Sequence, residues 1–127
     1  MKCKKILLVD DDEDIRLTIG EALEISDYTV MKASNGQEAL TLIQSLPESE
    51  LPGLIILDLM MPIMDGIQFL NAIHTSFPEF SRIPIVLASA KGSVESLPQH
   101  ALTIERIKKP MDLEDLLRIA ETYCGMP

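Results

Sequence analysis

The run Leu54-Ile55-Ile56-Leu57 goes straight into Asp58, and this junction limits the fold more than any other stretch. Four apolar residues fall far short of the about 18 that a membrane-spanning helix needs. A run that is apolar at every position and bounded by turn residues reads as a strand covered on both faces, the pattern of a parallel sheet. Pro62 cannot donate to a ladder, and Asp65-Gly66 reads as turn chemistry before a new periodic segment. Asp58 thus stands where a buried strand emerges. In open α/β sheets that carboxyl end is where ligands bind.

The pattern occurs first near the N-terminus, where a strand over 6–9 runs into Asp10-Asp11-Asp12-Glu13-Asp14. Helical spacing follows, with Ile15, Ile19, Ala22, Leu23 and Ile25 on one face. Asp12 reads as the helix cap, with Glu13 and Asp14 in the first turn facing the positive end of the helix dipole. Capping explains Asp10 and Asp11 poorly. Residues 28–33 form a weaker second strand whose mixed pattern fits a sheet edge. Asn35-Gly36 reads as a turn, 37–46 as a helix with Ala39, Leu40 and Ile43 inward, and 47–53 as a loop. A helix over 67–75 turns Phe69, Leu70 and Ile73 inward and leaves His74 at the surface or the helix end. A loop over 76–82 leads to a fourth strand over 83–88, with Pro84 near its start, where proline is tolerated. It ends at Ser89. Residues 93–101 are irregular around Pro98, 102–107 read as a short fifth strand, and Lys108-Lys109-Pro110 follows. The last helix, 113–123, is capped by Asp112 and turns Leu113, Leu116, Leu117 and Ala120 inward.

Strand–helix alternation repeated five times implies a parallel sheet between helix layers with right-handed crossovers. We expect an α/β fold, doubly wound and flavodoxin-like, with five strands in the order 2-1-3-4-5. Its switch point would lie between the two strands that end in Asp10-Asp11 and Asp58. The length of 127 residues suits one domain over 1–127. A net charge of -9 disfavours nucleic acid, whose phosphates it would repel, and suits divalent cations and basic partners. Residues 6–9 are too short for a signal-peptide core, so we expect a cytoplasmic protein that uses no membrane. Cys3 and Cys124 are expected as free thiols, neighbours at the far end if the last helix runs back beside the first strand.

This topology would bring Asp10, Asp11, Asp58, Ser89 and Lys109 to one rim. Like charges so close raise one another's pKa, and a hard divalent cation relieves that. Mg²⁺ binds through one or two carboxylates, keeps waters and expects phosphate oxygens to complete its octahedron. The ammonium of Lys109 and the hydroxyl of Ser89 suit a phosphoryl group's remaining oxygens. The set describes a phosphoryl-transfer site with a carboxylate nucleophile.

Five pieces taken in order resemble the receiver domain of two-component response regulators. They are Ile6-Leu7-Leu8-Val9-Asp10-Asp11-Asp12-Glu13-Asp14-Ile15-Arg16, Asn35-Gly36-Gln37-Glu38-Ala39-Leu40, Leu57-Asp58-Leu59-Met60-Met61-Pro62 with Met64-Asp65-Gly66, Ser89-Ala90, and Lys109-Pro110. The resemblance implies that Asp58 accepts a phosphoryl group from a sensor histidine kinase or phosphotransfer protein. It implies that Asp11 ligates Mg²⁺ directly and Asp10 mainly through water, with Asp58 and the Met60 backbone carbonyl completing the protein's share. Ser89 would swing to the phosphoryl group, and Lys109, before a cis bond to Pro110, would pair with it. The domain would be a switch rather than a metabolic enzyme, assisting only its own phosphotransfer and autodephosphorylation. It would be stand-alone or excised, a monomer or weak dimer, acting on an output protein or effector domain.

Departures from the family pattern concern output. Arg106 replaces the usual aromatic three residues before the lysine, Leu102-Thr103-Ile104-Glu105 replaces a small-residue turn, and Pro98 interrupts the usual fourth helix. We therefore expect the signal to leave by a rearrangement other than the usual aromatic switch, or through the first helix. Met60 and Lys91, each two beyond a site residue, would screen water and prolong the phosphoaspartate. Two alternatives are a pseudo-receiver that only docks and a phosphoester hydrolase. The intact acid set argues against the first, and Met60, where a hydrolase needs a second acid, against the other.

Overall fold

A computed structural model describes residues 5–80, 82–89, 103–109 and 111–124, except the side chains of Ser89, 103–105, Lys108 and Cys124. The apolar runs become strands covered on both faces. They are β1 (Lys5–Val9), β3 (Leu54–Asp58) and β4 (Ile85–Ser89), joined by β2 (Thr29–Ala33) and β5 (Thr103–Lys108). The sheet is parallel throughout in the order β2-β1-β3-β4-β5. Among the described residues the α-helices are α1 (Glu13–Ile25), α2 (Gly36–Gln44), α3 (Gly66–Ser76) and α4 (Leu113–Cys124). The expected doubly wound, flavodoxin-like α/β fold is what the chain adopts.

Alternation along each central strand divides its side chains between two cores. Leu7, Val9, Ile55 and Leu57 pack with Ala39, Leu40 and Ile43 of α2 and Phe69, Leu70 and Ile73 of α3. Ile6, Leu8, Leu54 and Ile56 pack with Ile19 and Leu23 of α1 and Leu116, Ile119 and Ala120 of α4. A strand serving both layers has no place for a polar residue until it leaves the sheet, hence the uninterrupted apolar runs. β2 pairs only with β1 and alternates less cleanly, as an edge strand does.

Several expectations shift. Asn35-Gly36 and Asp65-Gly66 are not turns. Asn35 and Asp65 cap α2 and α3, and the glycines are the first helical residues. Asp65 forms a reciprocal capping box with Gln68. Ile25 is 82% exposed, because it is the last residue of α1 and lies beyond the layer that would cover it. Leu113, the first residue of α4, is likewise outside its core. β4 begins at Ile85 rather than 83, since Pro84 has no N–H to give and only its carbonyl bonds, to the Ile55 amide. β5 spans Thr103–Lys108, one residue later than expected, so Lys109 directly follows its last residue. Short 3₁₀ turns, Glu48–Glu50 and Pro78–Phe80, occupy the expected loops, and the second buries Phe80. His74 is exposed. The expectations for Cys3, Lys91, Pro98, 93–101, Leu102 and the Lys109–Pro110 bond lie outside the described residues.

Candidate functional site

Each strand delivers its last residues to the same rim. Asp10 follows β1, and its amide still bonds to the Ala33 carbonyl, which keeps it in line with the sheet. Asp58 is the last residue of β3 and pairs in register with Ala88 of β4. Ser89 ends β4 opposite Lys108, and Lys109 comes next. One carboxylate oxygen from each of Asp10, Asp11 and Asp58 falls within 4.8 Å of the others. Asp10 and Asp58 are 1% and 3% exposed, whereas Asp11 faces solvent. The structure thus brings together Asp10, Asp11, Asp58 and Lys109, and places the backbone of Ser89 on the adjoining strand end.

The acids divide as the sequence suggested. Asp12 caps α1, accepting from the Asp14 and Ile15 amides. Asp10 turns inward, with Oδ1 accepting from the Asp12 amide at 2.9 Å. The ammonium of Lys109 lies 2.9 Å from Asp10 Oδ2 and 3.1 Å from Asp58 Oδ2. Asp58 Oδ1 accepts from the Met60 amide at 3.2 Å. Although Lys109 is close, Asp10 Oδ2 is buried with no aligned hydrogen-bond donor. A buried carboxylate oxygen short of a donor, beside two further carboxylates, is a donor set suited to a hard cation.

Electrostatics agree with that reading. Burial, then the charge of Asp10, pushes the Asp58 carboxyl up to about 6, against the pull of Lys109 and the Met60 amide. Burial pulls the Lys109 ammonium down, but Asp10 and Asp58 outweigh it and the net shift is upward. The Asp58 carboxyl therefore gives up its proton at a higher pH than an ordinary aspartate does.

Other features were not read from the sequence. Arg16, one turn into α1, donates from Nη1 to the Asp10 carbonyl at 2.7 Å and braces the acid loop. Its only sequence signal was a cation soon after a run of acids. Beyond Asp58, the Met64 amide bonds to the Pro62 carbonyl at 2.7 Å and Ile63 has φ 68°. That is a γ-turn of positive φ, a rare and strained form. Ile63 is 79% exposed and Met60 66%.

The family model for the response regulator receiver domain matches residues 6–121, and the chain belongs to that family. It is 34% identical over 122 residues to an uncharacterized 14.6 kDa protein of Leptolyngbya boryana, covering 94% of this chain and 88% of that protein. It is 33% identical over 115 residues to response regulator MprA of Mycolicibacterium vanbaalenii, covering 89% of this chain but only 47% of that regulator. A CheY-like receiver domain protein from Methanospirillum hungatei superposes with a TM-score of 0.82 at 26% identity, covering 95% of this chain and 94% of that one. Among the described residues, no helix is long and apolar enough to cross a membrane.

Proposed function

We propose that this receiver is a phospho-accepting switch whose acceptor is Asp58. The carrying observation is the meeting of three carboxylates and one ammonium at the carboxyl edge of the sheet. A carboxylate oxygen of Asp58 attacks the phosphorus of a phosphohistidine on a sensor kinase or phosphotransfer protein. The P–N bond breaks, its electron pair returns to the donor imidazole, and an acyl phosphate remains on Asp58. Lys109 is already within ion-pair distance of the acceptor, so its ammonium is placed to follow an incoming phosphoryl oxygen. The Met60 amide orients the Asp58 carboxylate. Ser89, at the end of the adjoining strand, is the hydroxyl donor we assign to a further phosphoryl oxygen.

Asp10, Asp11 and Asp58, with the Met60 backbone carbonyl, are the residues we assign to a Mg²⁺ ion. When bound, such an ion offsets carboxylate repulsion and the charge of the phosphoryl oxygens. Asp10 Oδ2, buried and sharing the Lys109 ammonium with Asp58, supports that assignment. The site assists its own phosphorylation and its own later hydrolysis, and the acceptor is regenerated only slowly. Output passes to a protein or effector domain through a rearrangement in which Arg106, exposed on β5, does not act as an aromatic switch.

Beryllofluoride with Mg²⁺, an aspartyl-phosphate mimic, tests the reading. Amide shifts at Asp58, Leu59, Met60 and Ser89 that need both Mg²⁺ and Asp58 are expected. A spectrum indifferent to the mimic would mean a docking module that is never phosphorylated.

A further inference from the structure

Gly36 and Gly66 stand first in α2 and α3, directly behind their caps. Neither has φ in the left-handed region, so neither position needs glycine for its backbone conformation. Space is what excludes a side chain. A Cβ on Gly36 would lie 2.8 Å from Met64 Cγ and 2.9 Å from the Met64 carbonyl oxygen. A Cβ on Gly66 would lie 2.8 Å from the Asp58 carbonyl oxygen and 2.9 Å from Leu59 Cα. The obstacle in each case includes backbone, which cannot rotate aside as a side-chain tip can.

Each close approach is also a bond. The Gly36 amide donates to the Met64 carbonyl at 2.8 Å, and the Gly66 amide to the Leu59 carbonyl at 3.0 Å. First-turn amides of a helix have no partner within it, so both are available for this use. Two helix starts therefore grip the segment leaving Asp58, one at Leu59 and one at Met64. Between the grips lie Met60, whose amide holds Asp58 Oδ1, and the strained γ-turn at Ile63. A β-branched residue in that conformation, and exposed, is held there by its neighbours rather than by its own packing.

We infer that Gly36 and Gly66 are positioning residues: together they clamp the segment from Asp58 to Met64 and so fix the Asp58 carboxylate and the Met60 backbone for cation binding. This inference rests on the Mg²⁺ site proposed above. Gly20 supplies the contrast. A Cβ there would meet Lys32 Cε at 2.8 Å, but that atom is near the tip of a flexible side chain on the surface.

The test is calorimetric titration of the full chain with MgCl₂ alone, beside thermal melts, for wild type, Gly36→Ala, Gly66→Ala and Gly20→Ala. The clamp expects Mg²⁺ affinity to fall about ten-fold or more in the first two, as loss of outer-shell support does elsewhere. Gly20→Ala is expected to bind as wild type does. Alanine variants at 36 and 66 that melt lower yet bind Mg²⁺ like wild type would reduce both glycines to a packing role and overturn the clamp. Wild type that binds no Mg²⁺ would instead overturn the site reading beneath it, and the clamp with it. Should the variants not fold, wild-type amide exchange decides. Slow exchange at Gly36 and Gly66, slower still with Mg²⁺, supports the clamp, and free-amide rates refute it.

Discussion

Asp58→Asn is expected to stabilise the Mg²⁺-free protein at neutral pH, against the usual expectation for a buried site residue. The native carboxyl has been raised from 3.8 to about 6, burial being the main cause and the Asp10 charge the next. A rise of about two units corresponds to about 3 kcal/mol against the charged form. A raised carboxylate binds its proton more tightly folded than unfolded. The contribution of Asp58 to stability is therefore greatest below the unfolded pKa and falls as pH rises from about 4 to about 6. Asparagine keeps the shape without the charge but gives up the contact with Lys109, so a net gain of about 1–3 kcal/mol at pH 7.5 is expected. At roughly 4 °C per kcal/mol for a chain of this size, the melting point should rise by about 4–12 °C. The assay is thermal denaturation with EDTA from pH 4 to 8. The gain should shrink towards pH 4, where wild-type Asp58 is already neutral. Added Mg²⁺ should close the gap by raising wild type more than the variant. An Asp58→Asn variant no more stable than wild type at pH 7.5, or a gain independent of pH, would refute the electrostatic reasoning.

Lys109→Met leaves Asp10 and Asp58 facing each other without their shared cation, and should cost about 3 kcal/mol at neutral pH without Mg²⁺ in chemical denaturation. The same variant should be slower to take a phosphoryl group from a small donor at saturating Mg²⁺; an unchanged rate would remove Lys109 from the proposed chemistry. Phe69→Ala empties the centre of the α2–α3 core and should cost about 3–5 kcal/mol by urea unfolding, without altering Mg²⁺ affinity in the folded protein.

The strand ends were legible because of a packing constraint. A strand covered on both sides has no tolerated polar position, so the acid that stops the run marks the edge of the sheet. Asp10 and Asp58 could be found that way, and alternation then placed them side by side. Helix faces were legible in direction but not in extent. Spacing put Ile25 and Leu113 on inward stripes, yet each is a terminal residue beyond the reach of the opposing layer. The pairs Asn35-Gly36 and Asp65-Gly66 misled because a turn and a capped helix start use the same residues. What separates them is a backbone pressing on the missing Cβ, a contact between distant segments that local sequence does not encode. The positive φ of Ile63 was equally hidden, since nothing in a β-branched residue announces it.

The most direct measurement is intact-protein and peptide mass spectrometry after treatment with acetyl phosphate, with and without Mg²⁺, on wild type and Asp58→Asn. One phosphoryl group per chain, located at Asp58, dependent on Mg²⁺ and absent from the variant, is the expected result. Phosphorylation that persists in Asp58→Asn, or wild type left unmodified with Mg²⁺ present, would contradict the account.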